Sequence, residues 1–207
     1  MMKRKLSVLP LFLLLTLFLP VFRAAPAPNA NALVDIRSVD RSILVAIPYA
    51  TPNNFTHRKL YSANLALLRR PVAEALARVQ RNLKKEHLGL KIWDAYRPLS
   101  VQKYMWTLLP DPRYVADPKK GSKHNRGAAV DVTLVDAGGR ELEMPTGFDD
   151  FTPRAGRNDM KAPKEAIHNR KLLEEAMKAE GFIPFPSEWW HFDYKTWKEY
   201  GILDRPF

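Results

Sequence analysis

Two short segments of the sequence bring together side chains that could hold a metal ion and activate a water beside it. The first is Ser122-Lys123-His124-Asn125-Arg126-Gly127-Ala128-Ala129-Val130-Asp131, and the second is Glu188-Trp189-Trp190-His191. His124 lies in the approach to a predicted strand and Asp131 lies on it, with Gly127 between them to permit a tight turn. Asp131 stands between Val130 and Val132. A carboxylate in an apolar strand must be paired or must ligate a metal, because a bare buried charge is costly. The second segment puts a carboxylate and an imidazole beside two large aromatics. His124, Asp131 and His191 then supply three ligands, the number a catalytic zinc takes when its fourth position is left to water. Glu188 remains as a general base for that water. Imidazole and carboxylate ligation suits zinc and leaves manganese and iron open. The chain has no cysteine, so thiolate sites and disulfides are excluded, and any metal must be held by His, Asp or Glu.

Taken one at a time, each of these residues has an ordinary structural explanation. A histidine beside a strand is commonly just hydrogen-bonded, Asp131 could pair with Arg126 or Arg97, and Glu188 and His191 could sit on the surface of an aromatic-rich strand. Only the set points to a metal. A third segment, Asp94-Ala95-Tyr96-Arg97-Pro98, falls at a strand end. An arginine there can reach into a cleft and meet an oxyanion or a carboxylate, although its simplest partner is Asp94. His57, His87 and His168 are assigned no role.

The elements that must position these groups can be read from periodicity. Ser42 to Ile47 alternates as a strand through Ile43, Val45 and Ile47. Pro71 to Glu86 reads as a helix, with proline in its first turn and a stripe of Val72, Leu76, Val79 and Leu83. Gly89 to Tyr96 is a predicted strand, and Ser100 is a candidate cap for a helix to Leu109. Ala128 to Val135 is a strand with Val130, Val132 and Leu134 on one face and Ala129, Asp131 and Thr133 on the other. A turn at Asp136-Ala137-Gly138-Gly139 would return through Arg140 to Met144 as a hairpin strand. Pro163 to Glu180 is a helix with Ile167, Leu172, Leu173 and Met177 inward, ended by Gly181. Trp189 to Tyr194 is a last strand. The expectation is a single α+β domain with a small central antiparallel sheet flanked by helices and the metal site at the sheet.

The first residues differ from the rest. Lys3, Arg4 and Lys5 precede an apolar run from Leu6 to Phe22, broken only by Ser7, Pro10, Thr16 and Pro20, and Ala24 to Ala32 is rich in small residues and proline. This is the layout of a secretory signal. Ala30-Asn31-Ala32 is the favoured cleavage site, because Pro28 directly follows the other candidate, Ala25-Pro26-Ala27. An uncleaved anchor is the alternative, but the run is short for a membrane span and carries two prolines. The expected organisation is a signal over residues 1–32 and a catalytic domain over residues 33–207, exported to the periplasm or the cell exterior. Of 33 Lys and Arg, four lie in residues 1–32, which leaves 29 against 22 acidic groups and a net +7 in the mature part. The basic residues are scattered and form no nucleic-acid motif, so the charge reads as a solvated surface.

In order and spacing, Asp-Ala-Tyr-Arg-Pro at 94–98, Ser-x-His-x-x-Gly-x-Ala-x-Asp at 122–131 and Glu-Trp-Trp-His at 188–191 resemble the zinc D-alanyl-D-alanine dipeptidases of the VanX type. Their relatives are the cell-wall D,D- and L,D-carboxypeptidases. The resemblance extends to Tyr49-Ala50-Thr51, Asn53-Asn54-Phe55 and Gly181-Phe182. It implies one zinc on His124, Asp131 and His191, Glu188 as catalytic base and Arg97 as stabiliser of the tetrahedral intermediate. It also implies Ser122 and Asp149 as holders of the substrate ammonium, with Asp150 as the fallback, although Pro145 stands where the family usually has glycine. The implied substrate is the free dipeptide, with peptidoglycan fragments as possible ligands and no nucleic acid or stable membrane insertion. A carboxypeptidase trimming stem peptides is the alternative within the class. A non-catalytic peptidoglycan-binding module, or a basic DNA-binding protein, is the alternative outside it.

Overall fold

The computed structural model describes Asn29 and residues 31–207. The expected signal segment therefore lies almost wholly outside the described residues. The elements run β1 (Leu33–Asp35), β2 (Leu44–Val45), β3 (Leu67–Arg69), α1 (Arg70–Leu83), β4 (Leu88–Asp94), α2 (Leu99–Leu108), β5 (Ala129–Asp136), α3 (Lys164–Ala179), β6 (Phe182–Pro184) and β7 (His191–Tyr194). One sheet has the order β2-β4-β5-β7-β6, and β1 and β3 pair separately. No helix among the described residues is long and apolar enough to cross a membrane. The expected α+β class holds, with one departure. β2 pairs with β4 in parallel, whereas every other pair in that sheet is antiparallel.

Burial follows the periodicities. Val72, Leu76, Val79 and Leu83 of α1 are all buried, as are Leu173 and Met177 of α3. The two helices pack on each other, α1 also against β4 and α3 against β5 and β6. Ile167 and Leu172 are only half-buried, not fully inward as expected. On β5, Val130, Val132 and Leu134 join the apolar core, and the two-residue repeat of a strand aims Asp131 to the opposite side. Gly181, at φ +88°, ends α3 as its position suggested.

Three local expectations are corrected. Ser100 is not a cap: Pro98 holds that position, and the Ser100 N–H donates to Asp204 Oδ1 at 2.8 Å. The return strand at Arg140 to Met144 shrinks to a single bridge, Val135 to Glu141. Trp189 and Trp190 precede the last strand instead of lying in it, and β7 begins at His191. The bulk of the tryptophan pair is taken up by packing with Trp93 and Phe148, which leaves a tight turn to deliver His191.

Candidate metal centre and active site

The pairing of β5 with β7 sets two of the three expected ligands opposite each other, Asp131 facing His191 in register. His124 arrives from the short turn before β5. That turn closes at Gly127, whose φ is +66° and where an added Cβ would lie 2.5 Å from Leu33 Cδ2. The left-handed backbone favours glycine, and any larger residue would also have to displace the Leu33 side chain. The three residues are buried, and they are the one group of potential metal ligands found among the described residues, with ligand atoms all within 4.8 Å.

Hydrogen bonds fix which atoms face inward. His124 Nδ1 lies 2.6 Å from the Ala95 carbonyl, which can only accept, so the proton is on Nδ1 and Nε2 presents a lone pair. His191 Nε2 lies 2.9 Å from Asp193 Oδ1, which likewise places its proton there and leaves Nδ1 to face the cluster. The two bare nitrogens lie 3.1 Å apart. Asp131 Oδ1 is 3.0 Å from His191 Nδ1, and Asp131 Oδ2 is 3.4 Å from His124 Nε2. Three acceptors converge with no donor of their own, an arrangement that calls for a cation. The same demand shows in titration. Burial opposes charge on His191, yet hydrogen bonds to Asp131 and Asp193 overcome it and push its pKa up to about 10. The donor set fits a zinc ion: two imidazoles and a carboxylate, each imidazole anchored through its other nitrogen. Asp131 pairs with neither Arg126 nor Arg97. Arg126 turns instead to the Tyr200 carbonyl and the Trp197 ring.

Glu188 is buried beside this cluster, Oε2 3.9 Å from His191 Nδ1. Burial pushes its carboxyl up to about 8, partly offset by His191 and reinforced by Asp131 and Asp149. Arg97, also buried, donates from Nε and Nη2 to Asp94 Oδ2 at 3.0 and 2.7 Å. The structural pair considered from sequence is therefore real, and Arg97 lines the pocket as well. The Asp94 carboxylate is brought level with Asp131 by a bulge in β4 between Ile92 and Asp94.

The pocket leaves about 60 Å³ for the centres of water molecules, and its walls include Arg97, Ser122, His124, Asp131, Asp149, Glu188 and His191. All seven residues singled out from sequence thus meet in one cavity. Ser122 Oγ accepts from the His124 N–H at 3.2 Å, which frees its own proton for a ligand. Asp149 adopts φ +58° and receives the Tyr49 hydroxyl on both oxygens, at 3.0 and 2.9 Å. Burial raises the Asp149 carboxyl to about 8, against the hydrogen bond from Tyr49. The departure at Pro145 does not displace Asp149 from the pocket, and Asp150, the fallback, is not part of the lining. Phe55, Tyr114 and Phe151 come from three different loops and line the same pocket, with the Phe151 ring centroid 5.1 Å from that of Phe55 and 5.5 Å from that of Tyr114.

Sequence reasoning missed Tyr49, Gln102 and Asp193. Asp193 carried a usable signal: two residues beyond His191 on one strand, it must share that face. Against its burial, the Asp193 carboxyl is held below the usual carboxylate range, chiefly by His191 and further by Lys123, whose Nζ lies 3.3 Å from Asp193 Oδ2. His57, His87 and His168 are exposed and lie outside the pocket.

A buried carboxylate next to a cation-demanding cluster, faced by an arginine, is equipment for adding water across a polar bond, so the protein is a hydrolase in design. Comparison with known proteins narrows the class. The profile of the peptidase family described as D-ala-D-ala dipeptidase matches residues 29–205, and the chain belongs to that family. It is 37% identical over 179 residues to the D-alanyl-D-alanine dipeptidase of Escherichia coli, covering 86% of this chain and 93% of the relative. It is 32% identical over 171 residues to the enzyme of the same name from Streptomyces coelicolor, covering 71% and 83%. Among solved structures, it is similar to the vancomycin-resistance D,D-pentapeptidase VanY with Zn(II), at 15% identity and TM-score 0.42, covering 64% of this chain and 75% of that one. A second is the vancomycin-resistance D,D-dipeptidase VanXYg with a D-Ala-D-Ala phosphinate analogue, at 20% identity and TM-score 0.39, covering 75% and 57%.

Proposed function

We propose that this chain is a zinc-dependent dipeptidase that hydrolyses D-alanyl-D-alanine to two D-alanines outside the cytoplasm. The observation that carries the reading is the convergence of His124, Asp131 and His191 as acceptors beside buried Glu188, in a small pocket, in a member of this family. His124 Nε2, Asp131 and His191 Nδ1 would hold the ion, which when bound supplies Lewis acidity to the water and the peptide carbonyl. Glu188 takes the proton from the attacking water and returns it to the leaving amine. The Arg97 guanidinium meets the negative charge that develops on the carbonyl oxygen. Asp149 and Ser122 face the substrate ammonium. An ammonium beside Asp149 would stabilise its ionised form, so binding and deprotonation of that carboxyl are linked.

Two features favour the free dipeptide over stem peptides. The cavity is small, and the Phe55–Phe151–Tyr114 contact takes up part of its wall, which leaves less room for a longer peptide. The purified protein is expected to cleave D-alanyl-D-alanine, to leave the L,L isomer and a muropeptide pentapeptide intact, and to stop on addition of a chelator. Release of D-alanine from the pentapeptide at a comparable rate would replace this reading with the carboxypeptidase one.

Residues 1–32 have the layout of an export signal, and the proposed place of action rests on that layout. A zwitterionic dipeptide does not cross a bilayer unaided, and the pool made for wall synthesis is cytoplasmic. An exported enzyme therefore serves turnover or salvage of dipeptide released from the wall, not depletion of the biosynthetic pool. Fractionation of cells expressing the full chain is expected to find activity outside the cytoplasm in a protein shortened by about the signal length. Activity confined to the cytoplasm with the segment attached would refute export.

A further inference from the structure

Arg97 is less firmly held by Asp94 than a two-pronged ion pair would suggest. Both of its contacts, from Nε and Nη2, fall on the single oxygen Oδ2. The other oxygen, Oδ1, is occupied by the Tyr61 hydroxyl at 2.9 Å and the Ala95 N–H at 2.9 Å. A planar cation resting on one atom can pivot about it, whereas parallel bonds to two oxygens would fix its plane. The second point of support is Gln102, from the buried side of α2. Its Oε1 accepts from Arg97 Nη1 at 2.9 Å, and its Nε2 donates to the Ala116 carbonyl at 2.7 Å. Gln102 is fully buried, and the amide orientation is forced, since arginine only donates and a carbonyl only accepts. Ala116 belongs to the loop that walls the pocket with Tyr114 and Val115, while Gln102 itself does not line it.

We propose that Gln102 is a positioning residue that fixes the plane of Arg97 and ties that plane to the pocket wall at Ala116. Three of the five guanidinium N–H groups are used by Asp94 and Gln102, which leaves one on Nη1 and one on Nη2. Those two are the donors available to a carbonyl oxygen as it gains charge, and their direction depends on the bond from Gln102. A neutral acceptor suits this task, because a second carboxylate would cancel the charge that Arg97 offers. The inference rests on the role proposed above for Arg97.

A mutant cycle on D-alanyl-D-alanine hydrolysis tests it. Gln102→Met keeps the volume and removes both bonds. It is expected to lower kcat about tenfold while KM stays within about twofold, since the lost alignment matters to the developing charge and not to the ground state. Arg97→Ala is expected to lower kcat further. In the Arg97→Ala background, adding Gln102→Met should change kcat by less than about twofold, because Gln102 acts through Arg97. Gln102→Asn, one methylene too short to reach both partners, runs the same cycle if the Met protein does not fold, with folding followed by Tm. An unchanged kcat in the Gln102 variant, or the same loss with and without Arg97, overturns the proposal. A wild-type protein inactive on the dipeptide would instead overturn the functional reading, and this inference with it.

Discussion

The His191→Ala protein is expected to lose its zinc and its activity together. Elemental analysis should fall from about one zinc per chain to near none, and turnover should fall on the order of 10³-fold or more, the scale of the several kcal/mol that a metal ion contributes to such a transition state. His191 Nδ1 is within 3.1 Å of both His124 Nε2 and Asp131 Oδ1, so its removal breaks the cluster at its centre. Two ligands would remain, one short of the three protein ligands that a catalytic zinc site with one open position uses. The substitution also leaves Asp193 and Asp131 without their common partner, so folding must be followed alongside metal content. A folded His191→Ala protein with full zinc would show that the ion, where it binds, sits elsewhere.

Glu188→Gln separates the base from the ligands. The amide has nearly the same shape, and Glu188 is not among the three converging residues, so zinc content should stay near the wild-type level. Turnover is expected to fall roughly 10²-fold or more, a typical contribution from a general base. Near-normal turnover would mean that another group takes the proton from water. The same substitution has a stability signature in the metal-free protein. Burial holds the Glu188 carboxyl at about 8, against an ordinary value of 4.5. The folded state thus keeps a proton that the unfolded state has released, and stability falls as pH rises from about 4.5 to about 8. Glutamine cannot ionise, so the metal-free variant is expected to lose that part of the pH dependence, a difference that thermal melts across the interval would register.

What the sequence revealed about this site was what it encodes locally. His124 and Asp131 lie within one turn and one strand, Glu188 and His191 within four consecutive residues, and Arg97 at a strand end next to its partner. There residue type and spacing brought the candidate groups together, and the resemblance to the dipeptidase family supplied their roles. Tyr49 and the contact of Phe55, Tyr114 and Phe151 were not legible, because their partners lie far along the chain, while Gln102, only 5 residues from Arg97 and 14 from Ala116, shows its role only once α2 is folded beside both. Gln102 in particular looks like any polar residue in an amphipathic helix. The helices α1 and α3 announced themselves through their apolar stripes. β1 and β3 have three residues each, too few for alternation to register; the strand expected over Ser42 to Ile47 is present but keeps only Leu44–Val45, and its parallel pairing with β4 is a tertiary choice. The two tryptophans were drawn into the last strand because aromatics favour strands, but packing against Trp93 and Phe148 claimed them for the turn.

The facing register of Asp131 and His191 has a consequence beyond catalysis. An ion held by both would act as a rivet between neighbouring strands, with β6 attached at the outer edge through β7. Parting β5 from β7 would then require release of the ion, so metal concentration would set how often this edge opens. At a hundred times its dissociation constant, a ligand bound only by the native state adds about 2.7 kcal/mol. Amide protons shared by β5 and β7 would exchange with solvent more slowly as zinc rises. Scarcity of the metal would be felt first as fraying and proteolysis at the β6–β7 margin, before any loss of the helical core built on α1 and α3.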